Sequence, residues 1–63
     1  MGIRVDQRVR VKKNAQAIRR DFRGQDGLTT GIFGERDPFA YMVKLDTGAE
    51  ILVRGDEIED AEG

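Results

Sequence analysis

Tyr41-Met42-Val43-Lys44-Leu45-Asp46-Thr47-Gly48-Ala49-Glu50-Ile51-Leu52-Val53-Arg54 is the stretch that decides the fold. Tyr41, Val43 and Leu45 alternate with Met42, Lys44 and Asp46, the two-residue period of a half-buried strand. Asp46, Thr47 and Gly48 are turn residues, with Gly able to take positive φ at no steric cost. Residues 50–54 return as a second strand, with Ile51 and Val53 on one face and Leu52 on the other.

Working outward, the same period appears near the start. Ile3, Val5, Val9 and Val11 hold odd parity between Arg4, Asp6, Arg8, Arg10 and Lys12, and Gln7 interrupts the set, which predicts a strand over 7–12. Arg8, Arg10 and Lys12 then project from one face as a cationic row. Residues 13–24 lack strict alternation, and Ala15, Ala17, Ile18 and Phe22 fit either one helical turn or, the favoured reading, one long loop from which Ile18 and Phe22 dip into the core, leaving Arg19, Arg20 and Arg23 outside. Gly24-Gln25-Asp26-Gly27 reads as a tight turn into a strand at 27–33, with Leu28 and Ile32 inward and a bulge or sharp bend at Gly31. Residues 34–38 form an exposed loop. Gly55-Asp56-Glu57 reads as a short turn, of 3₁₀ or simple turn type, and Ile58 closes the core. One domain over 5–59 is expected, followed by an acidic frayed tail over 60–63.

Four to five short antiparallel strands with one long early loop follow. A meander this small must curl to bury one face, so the fold class is all-β, a half-open barrel. The expected core is Val9, Val11, Ile18, Phe22, Leu28, Ile32, Tyr41, Val43, Leu45, Ile51, Val53 and Ile58.

Composition bounds the function. The chain has 63 residues, enough for one domain, and such a domain is marginally stable. The absence of Cys removes disulfides and thiolate ligands, and the absence of His removes the commonest metal ligand and general base. No apolar stretch approaches 18 residues and no secretion signal is evident, so a cytoplasmic protein without a membrane segment is expected. The net charge of −1 hides an asymmetry. Residues 1–24 carry eight cations against two anions, and residues 25–63 carry three against ten. Either the halves neutralise each other across the folded sheet, or a basic patch survives folding to meet an anionic partner.

The pattern resembles the SH3-like barrels. Phe22-Arg23-Gly24-Gln25-Asp26-Gly27-Leu28-Thr29-Thr30-Gly31-Ile32-Phe33-Gly34 is similar to the Gly-centred core of the KOW group. Residues 41–59 are similar to that group's closing hairpin. The resemblance spans roughly residues 5–59. It implies a small barrel of the kind found in ribosomal and transcription-elongation proteins, where KOW modules bind RNA or protein. The chain departs from the ribosomal pattern in its acidic balance (pI ≈ 5.3), in Leu28 and in the extra Gly31.

Short motifs carry little chemistry. Leu45-Asp46-Thr47-Gly48-Ala49 matches the signature of homodimeric aspartic proteases, but only 14 residues follow Ala49 and the flap and second Gly-rich segment are missing. Arg54-Gly55-Asp56 reads as a turn. The glycines fit no dinucleotide or P-loop spacing, and the acidic residues 56–62 lack EF-hand spacing, so no cofactor, metal site or catalytic residue is expected.

A binding role remains. Arg8, Arg10, Lys12, Lys13, Arg19, Arg20 and Arg23 form the candidate cationic site, and Phe33, Pro38, Phe39 and Met42 the candidate apolar contact. An acidic surface of a partner protein is the favoured target, since Arg and aromatics dominate interface hot spots. RNA or DNA phosphates are the alternative. Pairing of exposed strand edges into a small homo-oligomer is also open.

Overall fold

The computed structural model describes residues 3–36 and 39–61. It contains five antiparallel strands: β1 (Arg8–Val11), β2 (Asp26–Phe33), β3 (Ala40–Leu45), β4 (Glu50–Arg54) and β5 (Ile58–Asp60). They form one open sheet in the order β4-β3-β2-β1-β5. Single 3₁₀ turns lie at Arg20–Phe22 and Gly55–Glu57, and no α-helix occurs among the described residues. None of these elements is a helix long and apolar enough to cross a membrane.

The inner face follows from alternation. Val9 and Val11 of β1 and Val43 of β3 are completely buried, joined by Tyr41, Leu45, Val53 and Ile58. The turn at Gly55–Glu57 drops Ile58 into this core as expected, and Ile51 packs at its margin. Loop 12–25 contributes Ile18 and also Ala15, which the sequence reading missed. Short-range bonds shape it: the Ala15 N–H donates to the Lys12 carbonyl and the Ile18 N–H to that of Ala15. Phe22 lies against the core without being enclosed.

β2 departs most from expectation. Its register against β3 shifts between Thr29 and Gly31, leaving Thr30 as the extra residue of a bulge. The bulge beside Gly31 was anticipated, but its effect on parity was not. Leu28 sits opposite Lys44 and Ile32 opposite Tyr41, so the two lie on different faces. Leu28 shares the outer face of Lys44 and is only partly buried, Ile32 shares the inner face of Tyr41 as expected but lies 41% exposed, and before the bulge the inward positions belong to Gly27 and Thr29. The Asp26-Gly27 pair is likewise no turn. Gly24, with φ of +81°, makes the turn, and Asp26 opens β2. Gly27 serves close approach instead, since a Cβ there would fall 2.6 Å from the Lys44 carbonyl oxygen.

The first strand spans four residues rather than the six of 7–12. The acidic end is more ordered than expected. Glu59 and Asp60 pair with Arg10 and Val9, and the Ala61 N–H donates to the Arg8 carbonyl.

Candidate functional site

The outer face of β1 presents Arg8 and Arg10, as alternation requires, but both guanidinium groups are held by the chain's own carboxylates. Arg8 makes a two-pronged contact with Asp46, at 2.8 and 2.7 Å. Arg10 grips Asp26 at 2.7 and 3.3 Å. Register explains the second pair, because Arg10 lies opposite Asp26 on β2 and opposite Glu59 on β5. Hydrogen bonding from Arg10 holds the Asp26 carboxyl below its ordinary range, and Arg8 does the same to Asp46. The Arg10 guanidinium is raised in turn by the hydrogen bond to Asp26 and by both neighbouring charges. The cationic row read from the sequence is therefore, for these two residues, an internal ionic lattice.

The loop cations divide. Arg23 is structural: its Nε–H donates to the Ile18 carbonyl at 3.0 Å and its terminal nitrogen to that of Gln16 at 3.3 Å. Arg19 lies 5.7 Å from the centre of the Phe22 ring and 3.4 Å from the Asp21 carboxylate, both exposed contacts. Lys12, Lys13 and Arg20 take part in no ion pair among the described residues, and Lys13 and Arg20 are exposed. Lys12 and Lys13 join Arg10, Val11, Asn14 and Glu59 around an open cleft of about 550 Å³. Asn14 and Glu59 were not anticipated there. Glu59 is brought there by the pairing of β5 with β1, which sets it opposite Arg10.

The apolar candidates also divide. Phe33 is 51% exposed, with its ring over Gly31, and Gly31 stands opposite Met42. Met42 stands opposite Leu52, which is 59% exposed. Phe33, Met42 and Leu52 thus form one apolar strip on the outer face, and the sequence reading lacked only Leu52. Phe39 does not join it, because it packs partly against the core. Pro38 lies outside the described residues.

No described group of acidic side chains could hold a metal ion. Asp46, the aspartate of the protease-like signature, sits in the exposed β3–β4 turn with Arg8 on its carboxylate. That pairing favours the anion, whereas the aspartic-protease dyad must share a proton. The Arg54-Gly55-Asp56 tripeptide spans the second 3₁₀ turn, with Arg54 paired to Asp56 at 2.9 Å. Compared with family models, curated proteins and solved structures, the chain matches none.

Proposed function

We propose that this chain is a non-catalytic cytoplasmic docking module of the SH3-like type, whose basic loop meets an acidic surface of a partner protein. The SH3-like assignment is supported by the strand order, with β1 between β2 and β5, and by the 3₁₀ turn linking β4 to β5. The docking surface is narrower than the full cationic set. It comprises Lys12 and Lys13 at the cleft, with Arg19 and Arg20 further along the same loop.

One observation carries the choice of a protein target. Arg8 and Arg10 are occupied by Asp46 and Asp26, and Glu59 lines the cleft beside Lys12 and Lys13. A polyphosphate backbone is best held by a continuous run of cations, each neutralising a phosphate. A pair of lysines, Lys12 and Lys13, interleaved with the Glu59 carboxylate and Asn14 suits carboxylate side chains accompanied by polar neighbours.

The test is a titration of a glutamate-rich peptide, single-stranded RNA and duplex DNA at low and moderate salt, repeated with Lys13→Glu/Arg20→Glu. The expected result is micromolar peptide binding that weakens with salt, falls at least tenfold in the variant, and exceeds nucleic-acid binding. No peptide binding at low salt overturns the proposal. Tighter RNA or DNA binding with a steep salt slope would transfer the surface to nucleic acid.

A further inference from the structure

We infer that the open edge of β4 is the dimerisation edge of this protein, pairing antiparallel with the same strand of a second copy about a two-fold axis at Leu52. The inference is independent of the docking loop, which lies elsewhere on the chain.

The backbone parity comes first. The Leu45 N–H donates to the Ala49 carbonyl and the Gly55 N–H to that of Phe39, the two ends of one register. Bonded pairs alternate along an antiparallel ladder, so Ile51 and Val53 exchange bonds with β3. The N–H and C=O groups of Glu50 and Leu52, and the Arg54 carbonyl, therefore point off the edge. The Arg54 N–H is engaged by the Glu57 carboxylate at 2.7 Å. Pairing across a dyad at Leu52 sets Leu52 against its own copy and Glu50 against the second copy's Arg54. Four main-chain bonds result, two between the Leu52 residues and two from Glu50 N–H to Arg54 carbonyl.

The side chains fit the same register. Leu52 is exposed at the centre, with an acid two residues before it and a base two residues after. Reversal of the strand about Leu52 brings each Glu50 opposite an Arg54, so both flanking pairs are of opposite charge, with Glu50 joining Asp56, 2.9 Å from the same guanidinium, as a second carboxylate at Arg54. The Leu52 side chains meet at the centre and join the two strips of Phe33 and Met42. The other edge has no such symmetry: β5 offers Glu59 and Asp60 and no cation, so two copies would meet there as like charges.

Sedimentation equilibrium and concentration-dependent amide NMR test this. The wild-type chain is expected to dimerise, with shifts confined to β4 and its neighbours. Glu50→Arg and Arg54→Glu should each weaken the dimer by roughly tenfold or more, because two opposite-charge pairs become two like-charge pairs. Mixing these two variants restores both attractions, so the mixture should dimerise when neither variant does alone. Leu52→Lys should also be monomeric while keeping its circular dichroism, since that position is solvent-exposed in a single copy. A wild-type chain that stays monomeric to millimolar concentration overturns the second copy as occupant and leaves the edge to a strand of another protein. A mixture that fails to associate, or a Leu52→Lys dimer as tight as wild type, overturns this register.

Discussion

Gly27 and Thr29 show how much of this domain rests on single positions of β2. At Gly27 the neighbouring strand comes so close that a Cβ would meet the Lys44 carbonyl oxygen at 2.6 Å, a Val43 methyl at 2.8 Å and the Leu45 Cα at 2.9 Å. Two of those atoms are backbone and cannot rotate away. Gly27→Ala is therefore expected to force β2 and β3 apart and to cost about 1–3 kcal/mol, as overpacking does. Urea denaturation checks it, and an unchanged midpoint would refute the close-approach role. Thr29 is the one buried polar side chain of the described core. Its hydroxyl accepts from the Gln7 N–H at 3.0 Å and donates to the Arg4 carbonyl, tying the start of the chain to the sheet. At this scale the sequence was partly misleading. Asp-Gly is a strong turn signal, but here Asp26 serves as the Arg10 partner and Gly27 as the contact point, and neither role leaves a local mark. The nine-residue pattern of β3 and its turn carried no such conflict, so Tyr41, Val43 and Leu45 were legible directly.

Among the elements, β1 is tied to the rest of the sheet by charge as well as by its ladder. Arg10 binds Asp26 on β2, and Arg8 reaches past β2 to Asp46 in the β3–β4 turn. Both carboxyls are held below their ordinary values, first by the Arg hydrogen bonds and against a smaller opposing effect of burial. A carboxyl with a depressed folded pKa stabilises the fold above its unfolded value, near 3.9, and loses that contribution as pH falls through the folded value. Removing the partners with Arg8→Gln/Arg10→Gln should thus lower stability at pH 7, and the difference from wild type should shrink toward zero as pH falls through the depressed folded values of Asp26 and Asp46. The raised Arg10 guanidinium adds no titration in this window, because arginine stays charged throughout it. Parallel chemical denaturation of the two proteins across pH reads the effect, and a pH-independent difference would show that packing of the Arg stems, not the ion pairs, was lost. Elements with one unbroken period were readable from sequence: β1, β3 and β4. β2 was not, because the bulge at Thr30 exchanges its faces midway. Nor was the pairing of β5 with β1, a contact between the two ends of the chain that no local pattern encodes.

For the whole molecule, the deciding quantity is the size of the core against the length of chain it must hold. Val9, Val11, Val43 and Leu45 lie at its centre and each is at most 2% exposed. A 63-residue domain has a total stability of about 3–9 kcal/mol at ordinary per-residue values. Leu45→Ala removes about 2–5 kcal/mol through lost transfer energy and the cavity it leaves. At about 4–8 °C per kcal/mol for a domain of this size, the thermal midpoint should fall by at least about 8 °C. Where that cost equals or exceeds the total stability, as it does at the lower end of the range of about 3–9 kcal/mol, the variant would be substantially unfolded at room temperature. The β4 edge adds a second dependence. A chain that dimerises only when folded gains stability with concentration, by mass action. The wild-type midpoint should therefore rise as the protein is concentrated a hundredfold, and the Leu45→Ala midpoint should rise in parallel, because the core change leaves β4 in place. Leu52→Lys should give a midpoint that does not move with concentration. Differential scanning calorimetry over that range reads all three curves, and a concentration-independent wild-type midpoint would separate the stability of this fold from any pairing of its edges.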